Sequence, residues 1–323
     1  MLALLFPGQG SQAVGMGRDV YETSDAARAV FDAADAALGY PLARLVFEGP
    51  EEELVRTEVQ QPAILTTSIA LLSALEERCE LSPAYYAGHS LGEYSALVAA
   101  GALEFEDAVR IVQARGRFMQ EAVPEGRGAM AAILGLDPAA VGAACEFAAG
   151  QTGRVVAPAN FNGPAQTVIS GDAVAVEAAC ARAREQGAKR AVPLEVSAPF
   201  HCSLMRPAAE KLAPELARVR FRAPEAPIVT NVEATACSDA ARFPALLEQQ
   251  VTAPVRFTEM IQFLGSAGVD RVLEVGPGRV LVGVVARVSR DLARASLGIA
   301  KELDAAAEFA AEARSALGTR QGG

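Results

Sequence analysis

Short apolar runs alternate along this chain with longer segments in which apolar residues recur at helical spacing. The run at 3–6 predicts a buried strand, and the segments at 24–38 and 105–121 predict helices. A further helix is expected over 60–78, because Pro62 would then lie near its first turn, where proline is well tolerated. This alternation is typical of an α/β protein with a parallel sheet.

The middle of the chain predicts a unit with the order strand, helix, strand, strand, helix, strand. Its elements are expected at 129–134, 138–148, 155–161, 166–170, 173–186 and 190–194. This βαββαβ order is that of a ferredoxin-like unit, which can be inserted in a larger α/β domain. We therefore predict a small subdomain at 125–196 and a large catalytic domain made of 1–124 and 197–323.

Beyond residue 196 the strand and helix alternation resumes. We expect strands at 227–230 and 271–275, and helices at 205–218, 258–267 and 279–290. The segment 319–323 is expected to be a frayed tail.

Composition and charge exclude several classes of protein. With 51% hydrophobic and 21% charged residues, the 323-residue chain has a globular composition and not that of a disordered protein. A net charge of -10 argues against nucleic-acid binding, which needs clustered Lys and Arg. Five cysteines without a CxxC pair and only two histidines predict no metal site, and the odd cysteine count favours reduced thiols in the cytoplasm. No segment has the length and apolarity of a membrane span.

A candidate nucleophile lies in the pattern Gly88-x-Ser90-x-Gly92. It follows a predicted strand at 84–87 and precedes a predicted helix that runs to Ala100, which is the context of a nucleophile elbow. The helix N-terminus could also stabilise a developing oxyanion. The structural alternative is that Ser90 only caps this helix.

A serine nucleophile needs a base, and the chain has only two histidines. His89 is the neighbour of Ser90 on a tight turn, so the two side chains should diverge. His201 is therefore the candidate base, although alone it could be an ordinary loop residue. Cys202 could compete as nucleophile, but its own neighbour geometry with His201 argues against it. No acid stands out as a third member: Glu274 is possible, or else a dyad operates or a backbone carbonyl orients the imidazole.

Two glycine-rich turns follow predicted strands. The segment 8–13 nearly fits a dinucleotide-binding fingerprint, but Pro7 interrupts the junction and no acid follows at the end of a second strand. Its backbone amides could instead form half of an oxyanion hole. The segment 276–278 could be a phosphate nest, although a plain strand-to-helix turn is favoured.

Several strings together resemble the malonyl-CoA:acyl carrier protein transacylases, an acyltransferase family of fatty acid and polyketide synthesis. The resemblance rests on FPGQGSQ at 6–12, GHSLGEYSAL at 88–97, RGRFMQ at 115–120, NFN at 160–162, His201 and EVGPG at 274–278. It covers nearly the whole chain. It implies an α/β-hydrolase-like large domain with a ferredoxin-like insert, in agreement with the pattern above.

The resemblance also implies roles for individual residues. Ser90 would form a malonyl ester, with His201 as general base and then general acid. The backbone amides of Gln9 and Leu91 would form the oxyanion hole. The remaining expected site residues are Arg115 for the malonyl carboxylate, Asn160 and Asn162 for substrate binding, a backbone carbonyl at Gln250 that orients the imidazole, and Phe200, which we hypothesise crowds a methylmalonyl group.

The implied substrates are malonyl-CoA and holo acyl carrier protein, with no cofactor. A monomer is expected, and the acidic carrier would dock through a local basic patch from Lys189, Arg190, Arg206 and Arg287. Three alternatives stay open: an acyltransferase that loads polyketide carriers, a serine esterase or thioesterase, and an inactive scaffold.

Overall fold

The computed structural model describes residues 1–318, with side chains as far as Glu312. The strands in the described residues are β1 Leu2–Phe6, β2 Tyr85–Gly88, β3 Gly128–Leu134, β4 Val156–Gly163, β5 Gln166–Asp172, β6 Arg190–Pro193, β7 Ile228–Val229, β8 Ala236–Cys237, β9 Arg271–Val275 and β10 Ala293–Leu297. The helices are α1 Arg18–Thr23, α2 Asp25–Leu38, α3 Leu42–Glu48, α4 Glu51–Leu54, α5 Thr57–Glu76, α6 Gly92–Ala99, α7 Phe105–Glu121, α8 Pro138–Thr152, α9 Ala173–Glu185, α10 Arg206–Arg218, α11 Phe243–Thr252, α12 Phe257–Ser266, α13 Val280–Val288 and α14 Leu303–Gly318.

The larger sheet has the strand order β10-β9-β1-β2-β7-β8. Its pairs are parallel except for the short antiparallel pair of β7 and β8. All five residues of β1 are buried, as expected for a central parallel strand that helices cover on both faces. The carboxyl ends of β1, β2, β7 and β9 meet at one edge, where ligands bind in open α/β sheets.

The smaller sheet is antiparallel, with the order β4-β5-β3-β6. Helices α8 and α9 pack on it, and its core is separate and built largely from small residues such as Ala144, Cys145 and Ala179. Two sheets of this kind confirm the predicted class, an α/β-hydrolase-like fold with a ferredoxin-like unit. The boundaries at 125 and 196 stay a prediction.

The two sheets are joined through β4. Asn160 forms a parallel bridge with Val255, which donates its N–H to the carbonyl oxygen of Ala159 at 2.8 Å. The hydroxyl of Thr258 donates to the carbonyl oxygen of Phe161 at 2.9 Å. The chain segment that leads from α11 into α12 is therefore hydrogen-bonded to the smaller sheet by main-chain groups and by one hydroxyl.

Some predicted elements differ from the structure. The helix expected at 60–78 begins at Thr57, so Pro62 lies inside it and not in its first turn. Because this helix is buried on nearly every side, its sequence has no apolar stripe from which its first residue could be placed. β10 and α14 had no counterpart in the prediction, and the tail expected at 319–323 lies outside the described residues. Over residues 1–318, no helix combines the length and apolarity needed to cross a membrane.

Candidate active site

Ser90 lies on a sharp turn between β2 and α6. Its backbone is in the left-handed region, with φ 53°, which is uncommon for a residue other than glycine. A Cβ added at Gly88 would lie 2.0 Å from the carbonyl oxygen of Gly92, and one added at Gly92 would lie 2.0 Å from that of Phe6. Both glycines are therefore required for the elbow to form and to pack on β1.

Asn231, just after β7, holds this elbow from both sides. Its Oδ1 accepts the Ser90 N–H at 2.7 Å, and its Nδ2 donates to the Gly88 carbonyl oxygen at 2.7 Å. The side chain is fully buried. The sequence analysis missed this residue because it belongs to no motif, and only the pairing of β7 with β2 brings it to the turn.

The structure places His201 beside Ser90, with Nε2 2.7 Å from the serine Oγ. Its Nδ1 lies 2.9 Å from the carbonyl oxygen of Gln250. Because that oxygen can only accept, Nδ1 carries the proton and Nε2 is free to accept the proton of the serine. Burial and the nearby Arg115 guanidinium lower the pKa of His201 to about 3, so the imidazole is neutral at physiological pH.

Neither Glu274 nor Cys202 is used in this arrangement. The Glu274 carboxylate accepts the N–H groups of Leu281 and Val282, so it caps the start of α13. The Cys202 thiol donates to the Pro199 carbonyl oxygen at 3.2 Å, and burial raises its pKa. The carbonyl oxygen of Gln250, and no carboxylate, is therefore the partner of His201 Nδ1 in the described residues.

Arg115, on α7, is completely buried and points at the same site. Its Nη2 donates to Ser90 Oγ at 3.1 Å and to Gln250 Oε1 at 2.9 Å, and its Nη1 donates to Gln61 Oε1 at 2.8 Å. Among the described residues its Nε has no partner. A buried guanidinium without a direct carboxylate is suited to bind an anion that arrives beside Ser90.

Glu93 and Gln250 complete the hydrogen-bonded cluster. Glu93 Oε2 accepts Gln250 Nε2 at 2.7 Å and the Asn231 N–H at 3.1 Å. Gln250 Nε2 also donates to the Ser90 carbonyl oxygen at 3.0 Å. Burial raises the pKa of Glu93 to about 7, although the hydrogen bonds from Gln250 and Asn231 and the charge of Arg115 oppose this shift.

The two predicted oxyanion-hole residues lie on different turns, one after β1 and one after Ser90. Leu91 follows it and caps α6 with helical backbone angles. Gln9 lies in the loop after β1, where its side-chain amide donates to Gln60 Oε1. In the part of the chain that the structure describes, no backbone carbonyl accepts the N–H of either residue, so both amides could serve an incoming oxygen.

The other predicted substrate-binding residues are divided between two places. Asn162 Oδ1 accepts from His89 Nε2 at 2.9 Å, so His89 turns towards β4 and is no base for Ser90. Asn160 is buried on the same strand. Phe200 is buried beside His201 and lines a cavity of about 520 Å³, with Gln9 and Gln60 among its other walls.

This geometry supports nucleophilic acyl transfer. It joins a half-buried serine on a sharp turn, a neutral imidazole of fixed tautomer, backbone amides without a backbone acceptor and a buried cation. The glycine-rich turn at 8–13 does not lead directly into a helix as it would in a Rossmann unit, since α1 starts only at Arg18. The turn at 276–278 simply joins β9 to α13.

Comparison with known proteins identifies the family. The protein-family model described as the acyl transferase domain matches residues 3–319 of the sequence. This chain belongs to the acyl transferase family. A relative named malonyl CoA-acyl carrier protein transacylase, from Escherichia coli O157:H7, is 50% identical over 307 residues, which is 95% of this acyl transferase and 99% of that protein. One of the same name from Bacillus subtilis (strain 168) is 51% identical over 291 residues, 90% and 91% of the two chains.

Solved structures are similar over the same length. The acyl carrier protein S-malonyltransferase of Vibrio cholerae superposes on this acyl transferase with a TM-score of 0.91 at 46% identity, covering 94% and 99% of the two chains. A malonyl-transacylase in complex with a type II PKS acyl-carrier protein gives a TM-score of 0.92 at 45% identity, covering 95% and 99%.

Proposed function

We propose that this acyl transferase moves a malonyl group from malonyl-CoA to the phosphopantetheine thiol of an acyl carrier protein, through a malonyl ester on Ser90, in support of fatty acid synthesis. The observation that carries the proposal is the buried Arg115, whose Nη2 lies 3.1 Å from the Ser90 hydroxyl oxygen. A guanidinium there can hold the free carboxylate of an acyl group while its thioester carbon meets the serine. The names of the relatives agree with this activity.

In the first half-reaction Ser90 Oγ attacks the thioester carbonyl carbon and His201 Nε2 takes the hydroxyl proton. The Gln250 carbonyl oxygen stabilises the imidazolium through Nδ1–H. The N–H groups of Gln9 and Leu91 bind the oxyanion of the tetrahedral intermediate. When the carbon–sulfur bond breaks, the CoA sulfur takes the proton from His201.

The second half-reaction reverses these steps with the carrier thiol. His201 Nε2 takes the thiol proton, the sulfur attacks the malonyl-ester carbon, and Ser90 leaves as an alcohol with the proton that His201 returns. One serine can thus serve two thiol partners in turn. We further propose that the reaction needs no cofactor and that the protein is cytoplasmic. The catalytic domain would consist of 1–124 and 197–323, and the ferredoxin-like subdomain of 125–196.

The experiment mixes the protein with malonyl-CoA and measures its intact mass. We expect a malonyl adduct that is absent in Ser90→Ala and is transferred to holo acyl carrier protein when that is added. Arg115→Ala should lose malonyl loading at least about tenfold while acetyl loading is spared, because only malonyl has a carboxylate to bind. Arg115→Lys keeps the positive charge but lacks the two parallel N–H donors of a guanidinium. Its malonyl loading should therefore lie between those of Arg115→Ala and the wild type.

Other outcomes would contradict the proposal. Rapid release of free malonate without an adduct would favour an esterase or thioesterase, and a protein that forms no adduct at all would be an inactive scaffold. Equal loss of malonyl and acetyl loading in Arg115→Ala would remove the role of Arg115. Transfer restricted to polyketide carriers would move the same chemistry to that pathway.

A further inference from the structure

The mechanism above gives no role to the carboxyl of Glu93, which is buried. It is connected to Arg115 by a single intervening side chain. Glu93 Oε2 accepts from Gln250 Nε2 at 2.7 Å, and Gln250 Oε1 accepts from Arg115 Nη2 at 2.9 Å. Because a carboxylate only accepts and a guanidinium only donates, the Gln250 amide has one possible direction between them.

Arg115 and, once ionised, Glu93 are the charged groups of this cluster. Tyr94, beside Glu93 on α6, has its pKa raised by burial and stays protonated. Burial lowers the pKa of His89 at the elbow and, together with the charge of Arg115, that of His201. Both imidazoles are therefore neutral, and the Arg115 guanidinium on α7 is the charge that Glu93 faces.

We propose that Glu93, acting through the side-chain amide of Gln250, is the resident counter-charge of Arg115 and sets how tightly that guanidinium holds an acyl carboxylate. This inference rests on the proposed function. The carboxylate of a malonyl group and that of Glu93 lie on two sides of one buried cation, so each weakens the hold of the other. Glu93 thereby makes malonyl binding reversible enough for transfer to a second thiol.

The protonation state of Glu93 gives this arrangement a pH dependence. Its pKa of about 7 means that the carboxyl is neutral below neutrality and ionised above it. Malonyl binding should therefore be tighter on the acid side. By reciprocity, bound malonyl should raise the pKa of Glu93, so that loading near pH 7 takes up protons.

The experiment measures KM for malonyl-CoA and acetyl-CoA from about pH 6 to about pH 8.5 in the wild type and in Glu93→Gln. We expect the wild-type malonyl-CoA KM to rise about tenfold over this range, from the repulsion of two carboxylates around one cation at protein-like dielectric. In Glu93→Gln, which keeps an oxygen for both hydrogen bonds, this KM should stay low at every pH. The acetyl-CoA KM controls for titration of CoA itself and should show no such difference.

Three results would overturn the inference: a Glu93→Gln profile parallel to the wild type, a malonyl-CoA KM raised by the substitution, or equal changes for acetyl-CoA. A purely structural role would lower the loading of both thioesters together. If Glu93→Gln does not fold, the wild type decides, because malonyl loading in weak buffer near pH 7 must take up protons that acetyl loading does not. If the wild type forms no malonyl-Ser90 at all, the proposed function fails instead.

Discussion

At the scale of single residues, backbone strain and reactivity occur together. Ser90 and His201 both have left-handed backbones, with φ 53° and 58°, and their side chains meet at 2.7 Å. Such conformations cost about 1–3 kcal/mol each and persist only where neighbours impose them. Asn231 does so for Ser90, with one hydrogen bond on each side of the turn. The strain directs the hydroxyl towards the imidazole before any substrate arrives.

Phe200 offers a residue-scale prediction about the acyl group. It is buried next to His201 and forms part of the cavity wall, so truncation should make room for one more methyl group. We expect Phe200→Ala to increase methylmalonyl loading relative to malonyl by about tenfold or more, the scale on which pockets discriminate a methyl group. Competitive loading with both thioesters, read by intact mass, measures the ratio.

Phe147→Ala is the matched control, because Phe147 lies exposed on α8 and should leave the ratio unchanged. Comparable loading of both thioesters by the wild type would show that Phe200 does not restrict the pocket.

The sequence predicted some of these residues and missed others for a physical reason. Ser90 could be found because the elbow demands glycines at fixed spacing, and His201 because only two histidines exist. Arg115 was named only through the family resemblance. Asn231 and the charge-balancing contacts of Glu93 had no local signal, since they form only when β7, α6 and α11 converge. The proposed roles of all these residues stay predictions.

At the scale of secondary structure, α5 and α7 approach closely at Gly116, next to Arg115. A Cβ at this position would lie 2.4 Å from the Thr57 carbonyl oxygen, a backbone atom that cannot move aside alone. We predict that Gly116→Ala destabilises the fold by about 1–3 kcal/mol, as overpacking does. It should also reduce malonyl loading, because the helix that carries Arg115 must shift.

Gly142, on α8, provides the matched control because a Cβ there meets nothing within 4 Å. Gly142→Ala should stabilise the fold by about 0.5–1 kcal/mol through helix propensity. Denaturant midpoints of both variants measure the difference, and stabilisation by both would contradict the close approach of α5 and α7.

Elements were predictable where polar residues mark their faces. Helix α7 has the predicted bounds, Phe105–Glu121, because its buried positions recur at helical spacing between acidic and basic ones. Strand β10, with the sequence ARASL, is half exposed and carries little apolar signal at the sheet edge. The start of α5 was predicted wrongly, near Pro62 instead of at Thr57. This helix is buried on nearly every side, so its sequence has no periodic pattern of apolar and polar residues.

At the scale of the whole molecule, one short segment contacts both the active-site histidine and the smaller sheet. Gln250, in α11, presents its carbonyl oxygen to the imidazole, and Val255, five residues on, bridges to Asn160 in β4. Asn162 on the same strand bonds His89 beside the nucleophile. The smaller sheet is thus hydrogen-bonded to both sides of the site, so its position and the geometry of Ser90 and His201 are coupled.

The smaller sheet also presents positive charge on a protein of net charge -10. Lys189 and Arg190 are exposed at the start of β6, where Leu134 pairs with both Arg190 and Gln166. Arg287 is exposed, and its Cβ would lie 3.9 Å from a Cβ at Gly163. These three residues surround the turn between β4 and β5, close to Asn162. Arg206, the fourth predicted member, lies in a different groove with Glu210 and Glu248.

We therefore expect the carrier to be steered by Lys189 and Arg287 rather than by Arg206. With malonylated enzyme already formed, Lys189→Glu combined with Arg287→Glu should lower kcat/KM for holo acyl carrier protein about tenfold or more at low salt, and the deficit should shrink near 0.5 M salt. Transfer to free pantetheine, which has no acidic surface, should be unchanged.

Arg78→Glu is the control variant. Arg78 lies just after α5, about 25 Å along that helix from the site, and the substitution removes a surface ion pair with Asp304. A carrier rate that falls equally in Arg78→Glu would show that net charge, and not this surface, governs association.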